Sequence, residues 1–453
     1  MYTTINPVNL APINQYAWWS EKKLLSVLCE SADVAYDWRL SDWSRRVEVV
    51  KNLGVHLLAS RILIAQSIVS EMGKPITQAF AEVDKCIQCC QQMPALVAKW
   101  LLAETGETSD GQPFRTEFEP LGLIFAIMPW NFPLWQIIRA LVPAILVGNG
   151  MVLSPAPCTL GTALLLEKIF KQTTAPINLF RCLIIPECMA EQVIAHSAVQ
   201  GVTLTGSTQA GQAVASLSGR YLKKTVLELG GSDPYLVLED ADIATAAACC
   251  VHARMANAGQ ICISPKRIIV HQACYDQFVC HVRRLLLDYQ CADPALPTTR
   301  LGPMARVDLR DVLHQQVADS ITQGAACLLG GQVPAVTGAF YPATLLTDVV
   351  AGMPACDQEL FGPVMVVMMA HSTAHAIELA NNSEFGLTAA VFSANHARAQ
   401  HVAAQLQVGC CGVNRQVRSH FEIPFGGVKR SGFGRELGRY GCYEFVNIKT
   451  SIL

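Results

Sequence analysis

Between Leu121 and Leu229, short apolar runs alternate with helix-length segments, and this alternation restricts the fold more than any other feature of the chain. Gly122-Leu123-Ile124-Phe125-Ala126-Ile127 reads as a buried strand, followed by a helix ending near Gly148-Asn149-Gly150. Met151-Val152-Leu153 is the next strand. Gly201–Thr205 is another, leading through Gly206-Ser207-Thr208-Gln209-Ala210-Gly211 into a helix, and Thr225–Leu229 is a further strand. Apolar strands joined by crossover helices build a parallel sheet, and ligands bind at the carboxyl ends of its strands. A second alternating block runs from Pro234 to about Asn414, with Lys266–Val270 as a strand and Tyr275–Leu287 as a helix. At 453 residues, 51% of them hydrophobic, the chain can fill two or three domains.

The first hundred residues read as helices. Apolar positions at helical spacing run from Glu48 to Met72, Gly73-Lys74-Pro75 is a stop, and another helix runs from Ile76 to about Leu102. Asp110-Gly111 marks a hairpin turn between Glu107-Thr108 and Phe114–Phe118, a protrusion of the kind that packs on a partner subunit. The tail, Cys442–Ile448, alternates like a strand and is expected to pair with that hairpin, within or between subunits.

Composition removes several function classes. Net charge is −2 with Lys and Arg scattered, so neither nucleic acid nor an anionic membrane surface is an expected partner. The start, Met1–Asn6, lacks the basic and apolar regions of a secretory signal. Leu121–Ile138 is uncharged and long enough to raise the question of a membrane span. Pro129 and Pro133 interrupt it and Asn131 and Gln136 add polar cost, so it reads as a strand, a turn and a helix start. The 18 cysteines include adjacent pairs such as Cys249-Cys250 and Cys410-Cys411, which suits small buried residues in a reducing compartment and points to the cytoplasm. Cys86-Ile87-Gln88-Cys89-Cys90 has no second Cys or His pair at zinc spacing, so helix packing is expected there and no metal site.

Three segments carry potential chemistry, and each has a bland alternative when taken alone. In Asn257-Ala258-Gly259-Gln260-Ile261-Cys262 the cysteine sits in a loop before a strand. It is either one structural thiol among many or a nucleophile, which needs a base or a positive field to act as thiolate. Leu227-Glu228-Leu229-Gly230-Gly231 places a carboxylate at the end of an apolar strand, as a salt-bridge partner or as a general base with a raised pKa. In Met128-Pro129-Trp130-Asn131-Phe132-Pro133 an amide held between prolines is either a satisfied turn residue or a donor to an oxyanion.

Together, in this order and spacing, the three segments resemble the aldehyde dehydrogenase superfamily. Further matches are Thr205-Gly206-Ser207, Glu359-Leu360-Phe361-Gly362-Pro363-Val364, Phe385–Ala389 and Pro424–Lys429, so the resemblance spans nearly the whole chain. It implies an α/β fold: a Rossmann-like cofactor domain (1–102 and 124–229), an α/β catalytic domain (230–428) and a small β oligomerisation element (103–123 and 429–453). It also implies that Cys262 attacks an aldehyde to form a thiohemiacetal, with Asn131 and the Cys262 N–H stabilising the oxyanion. Hydride then passes to NAD or NADP, and Glu228 activates the water that hydrolyses the thioester. Gly206 and Ser207 resemble the phosphate contact at a helix N-terminus. Glu359 resembles the residue used on the nicotinamide ribose, with Phe361 beside it, and Trp130, Ser154 and Leu229 complete the implied cofactor contacts. Family members form dimers or tetramers in which the C-terminal strand extends a neighbour's sheet.

The chain departs from the pattern at two places. Where most members carry Lys in a Val-Leu-Lys-Pro segment, this chain has Ser154, and the acidic position three residues later is Pro157. Losing a charge-assisted hydrogen bond of about 1.5–3 kcal/mol weakens a cofactor contact without favouring NAD or NADP. The usual Lys after the Pro-Trp-Asn-Phe-Pro segment is Ala140, preceded by Arg139. In succinate-semialdehyde dehydrogenases an Arg at this offset faces the substrate tunnel and can hold a carboxylate through two hydrogen bonds. Otherwise Arg139 is a surface residue, although an unpaired Arg is costly on a helix that reads as buried nearly all round. Leu301–Arg306 and Asn382–Gly386 resemble the same bacterial group, and Arg415 and Arg418 fall in a loop that lines the tunnel mouth in relatives. The expected reaction is therefore oxidation of succinate semialdehyde or a similar acidic semialdehyde. Its rivals are broad aldehyde oxidation and a non-catalytic relative that binds cofactor without turnover.

Overall fold

The computed structural model describes residues 1–453. Its first sheet has six strands in the order Gly432–Phe433, Lys224–Glu228, Val199–Thr205, Leu123–Met128, Gly150–Pro155 and Phe180–Cys182. All neighbours are parallel except the short first strand, which lies antiparallel with Gly432 opposite Glu228. Phe125 on the central Leu123–Met128 strand faces Val152 on one side and Val202 on the other, so both flanks of this strand are apolar and buried. The suspected membrane stretch is this strand, a turn, and the start of helix Trp135–Val147. No single helix is long and apolar enough to cross a membrane.

The second sheet has seven strands: Ala326–Leu329, Thr344–Thr347, Val364–Ala370, Pro265–His271, Asp233–Val237, Thr388–Phe392 and Cys410–Val413. It is parallel apart from its first edge strand. The chain passes from one sheet to the other through Leu229-Gly230-Gly231-Ser232, immediately after Glu228, which sets the carboxyl end of strand Lys224–Glu228 beside the amino ends of Asp233–Val237 and Pro265–His271. Val446–Ile452, Pro113–Pro120 and Glu104–Glu107 form a separate three-stranded antiparallel sheet.

Three sequence readings need correction. The chain does not start with helices but with a hairpin, Tyr2–Ile5 against Pro12–Tyr16; strands this short, with Pro7 between them and Pro12 opening the second, carry no readable period. The helical stretch ending at Met72 is two helices, Trp43–Ala59 and Arg61–Met72, bent by 71° at Ser60. The tail's strand begins only at Val446, because Gly438–Tyr443 is helical and Tyr443 stacks on Phe118 with ring centroids 4.4 Å apart. That strand pairs with Pro113–Pro120 of its own chain. Helix Ile76–Trp100 buries Cys86, Cys89 and Cys90 completely in the apolar core below the first sheet, as small packing residues.

Candidate active site

Helix Ile243–Met255 stops at a turn in which three successive residues are left-handed: Asn257 (φ 51°), Ala258 (φ 53°) and Gly259 (φ 71°). For residues with a Cβ this conformation costs about 1–2 kcal/mol each, so it persists only where the surroundings enforce it. They do. The Asn257 N–H donates to Gln78 Oε1 at 2.8 Å, its Nδ2 to the Asn131 carbonyl at 2.9 Å, and Gln260 Nε2 to the Asn257 carbonyl at 3.0 Å. Gly259 is required at its place, since a Cβ there would lie 2.1 Å from the Gly362 carbonyl oxygen.

Two buried cations fix the rest of the loop. Arg254 donates to the carbonyls of Gly259 (3.3 Å), Leu360 (2.6 Å) and Val364 (2.6 Å) and to Ser264 Oγ (2.9 Å). Lys266 Nζ donates to the carbonyls of Ile261 at 2.9 Å and Cys262 at 2.5 Å, and pairs with Glu359 at 3.0 Å. The Cys262 peptide is thus held from its carbonyl side, which leaves its N–H for a ligand.

Cys262 lines a cleft of about 1120 Å³ shared with Phe132, Trp135, Arg139, Ile263 and Phe425. Burial pushes its thiol up to about 12; Glu228 and Glu359 add to the rise, and Lys266 and Arg139 oppose it. At neutral pH the thiol therefore keeps its proton until a base takes it.

Glu228 ends strand Lys224–Glu228, 1% exposed, and neither carboxylate oxygen has a hydrogen-bond partner. Burial raises its pKa well above the usual carboxylate range and neighbouring Glu436 raises it further, against Arg139 and Arg435. A carboxyl group in this setting holds its proton to higher pH than an exposed one, and the nearby cations favour its ionised form. Asn131 is buried, with Nδ2 donating to the Gln260 carbonyl at 3.0 Å; an amide nitrogen has two protons, so a second donor remains. The Glu228 charge thus reaches the Cys262 thiol, and the Asn131 amide is tied to Gln260, two residues before Cys262.

The expected cofactor residues gather at the carboxyl ends of the first sheet. Ser154 lies beside Ile127, and Leu204, just before Gly206, flanks Ile127 on the other side. Ser207 caps helix Thr208–Arg220, its Oγ accepting from the Ala210 N–H at 3.2 Å. The N–H groups of Thr208 and Gln209 have no protein partner and suit a phosphate. Leu229 is buried against Gly211 of the same helix and donates its N–H to the Ser431 carbonyl at 3.0 Å. Glu359, partly exposed, accepts from the Gly231 N–H at 3.1 Å, and Phe361 meets Trp130 edge-on with centroids 5.7 Å apart. An anion-binding helix end, a carboxylate for hydroxyls and aromatic edges form a donor set that fits a dinucleotide.

The three arginines expected at the substrate fare differently. Arg139 is 3% exposed in the cleft wall, as its apolar helix required, and the structure supplies it with partners: an ion pair to Glu436 and a hydrogen bond from Nη2 to Thr205 Oγ1 at 3.2 Å. Arg418 lines the Cys262 cleft from an exposed position. Arg415 does not reach it. Asn414, left-handed at φ 54°, turns the chain after strand Cys410–Val413, and Arg415 lines a neighbouring recess of about 660 Å³ instead.

Sequence reasoning missed Arg254, Lys266, Gln260 and Glu436. The available signal was charge where burial was expected: Arg254 within an apolar helix and Lys266 at the head of an apolar strand.

The aldehyde dehydrogenase family model matches residues 1–451. The NAD(P)+ succinate semialdehyde dehydrogenase Sad of Escherichia coli strain K12 is 41% identical over 447 residues, covering 99% of this chain and 96% of that protein. The NADP+ succinate-semialdehyde dehydrogenase of Deinococcus radiodurans is 39% identical over 449 residues, covering 99% and 94%. Among solved structures, the succinic semialdehyde dehydrogenase of Streptococcus pyogenes, in complex with NADP+, superposes with a TM-score of 0.98 at 32% identity, over all of both chains.

Proposed function

The chain belongs to the aldehyde dehydrogenase family, and from that membership we propose that it oxidises succinate semialdehyde to succinate in the cytoplasm. It is an NAD(P)-dependent oxidoreductase. The observation that carries the substrate is the group of cations in the Cys262 cleft, where Lys85, Arg139 and Arg418 line the same channel as Phe132, Trp135 and Phe425. Named succinate-semialdehyde dehydrogenases among the similar proteins support the same choice.

In this reading Glu228 accepts the thiol proton as Cys262 Sγ bonds to the aldehyde carbon, so no free thiolate need accumulate. Asn131 Nδ2 and the Cys262 N–H donate to the oxygen that becomes negative. The cofactor, held by Gly206, Ser207, Glu359 and Phe361, supplies a hydride acceptor when bound. Once Glu228 has released the thiol proton to solvent it removes a proton from water, the hydroxide adds to the acyl carbon, and the carbon–sulfur bond breaks to release succinate and the Cys262 thiolate, which regains a proton. Arg139 and Arg435 favour the ionised form of Glu228, and Glu436 opposes it.

Broad aldehyde oxidation is a second reading, favoured by one observation: the Arg139 guanidinium already has a carboxylate partner. Ser154 and Pro157 offer neither attraction nor repulsion to a 2′-phosphate, so NAD and NADP are both accepted in this proposal. The assembly is a homodimer or homotetramer, supported by Ile448 and Ile452, which the three-stranded sheet leaves exposed. Initial rates with succinate semialdehyde and with butanal, each with NAD and with NADP, test the assignment. A kcat/KM at least roughly tenfold higher for the acidic aldehyde is expected, since one charge-assisted contact supports that much discrimination. Equal values would leave broad aldehyde oxidation.

A further inference from the structure

Lys74, Lys85 and Arg139 line the Cys262 cleft and Lys266 holds the Cys262 carbonyl beside it; of these four cations, three have acids of their own. Lys74 pairs with Glu82, Arg139 with Glu436 and Lys266 with Glu359. The fourth, Lys85 on helix Ile76–Trp100, has none. Its Nζ donates to the Ser419 carbonyl at 3.0 Å and to Ser419 Oγ at 2.5 Å, and stands 4.3 Å from the centre of the Trp135 ring. An ammonium has three protons, so one donor remains after Ser419 is served. Lys85, Trp135 and Ser419 all line the same cleft as Cys262.

We propose that Lys85, steadied by Ser419 and Trp135, is the specificity-determining residue that receives the distal carboxylate of the substrate. This rests on the acidic-aldehyde reading above and moves the anchor from Arg139, which is committed to Glu436, to the neighbouring helix. The electrostatics agree. Burial, and then the proximity of Arg139, lowers the Lys85 ammonium to about 8, against the smaller influence of Cys86, Cys89 and Glu82. A carboxylate arriving beside Nζ relieves both of the lowering effects. Ser419 Oγ, already oriented by Lys85, can turn its own proton to the same carboxylate.

The test compares wild type, Lys85→Met and Lys85→Arg by the ratio of kcat/KM for succinate semialdehyde to that for butanal. Loss of a charge-assisted hydrogen bond predicts a roughly tenfold to hundredfold fall in this ratio for Lys85→Met, carried by KM, with much of it restored in Lys85→Arg. Succinate inhibition of butanal oxidation should weaken in parallel. A wild-type preference that survives in Lys85→Met overturns the Lys85 assignment and leaves the substrate reading standing. A wild type without preference overturns both. If Lys85→Met does not fold, Lys85→Gln, which keeps a donor and removes the charge, gives the same readout.

Discussion

A carboxylate buried without a single donor to its oxygens is unfavourable for folding, and Glu228 is in that position. Its folded pKa lies above the unfolded value near 4.3, so the folded chain holds a proton that the unfolded chain has lost. The resulting stabilisation is fully present below about pH 4.3 and disappears as pH rises through the folded pKa. Glu228→Gln should therefore raise stability at pH 7 and above, by about 1–3 kcal/mol, and remove this part of the pH dependence. In the same variant both formation of the acyl-enzyme and its hydrolysis should slow, by at least roughly a hundredfold, the scale of a lost general base. Thermal unfolding from pH 5 to 9 and single-turnover rates check the two halves; a variant no more stable at pH 8 contradicts the electrostatic account. At this scale the motifs made Cys262, Glu228 and Asn131 legible, while the charges around Glu228 stayed hidden. Glu436, 208 residues beyond Glu228 in the chain, has no local pattern tying it to Glu228 or Arg139.

Among the elements, the Cys262 loop depends on neighbours more than on its own sequence. Arg254 joins the end of its helix to the Cys262 loop and to Leu360–Val364, the segment beyond Glu359. Arg254→Leu leaves the carbonyls of Gly259, Leu360 and Val364 without donors at about 1–3 kcal/mol for each buried group, so a loss of at least 3 kcal/mol is expected. Differential scanning calorimetry measures it. A parallel fall in kcat is expected, because the strained Asn257–Gly259 turn would relax. Strand and helix positions in the alternating regions were legible because apolar burial is periodic. The Ser60 bend, the N-terminal hairpin and the helix at Gly438–Tyr443 were not, since each is decided by contacts with distant parts of the chain.

At the scale of the whole molecule, the parallel sheets and the pairing of the tail with the hairpin could be read from sequence, while the detour that the last thirty or so residues make along the first sheet could not. Those residues return from the second sheet, lay Gly432–Phe433 on the edge of the first, and finish against the Glu104–Pro120 hairpin. Removing Val446–Leu453 exposes the Pro113–Pro120 edge, and light scattering should then show a smaller assembly than the full chain forms. Unchanged mass would separate this sheet from assembly.

The edge strand has one more consequence, which concerns time. Ribosomes deliver a chain from its N-terminus, so Glu228 and Cys262 emerge well before Gly426, against which the Glu228 carboxylate rests, and before Arg435 and Glu436, which set its charge. A nascent chain can hold Cys262 and Glu228 yet lack the neighbours that enclose the carboxyl group. In the proposed mechanism the surroundings of Glu228 are therefore complete only once synthesis has passed Glu436.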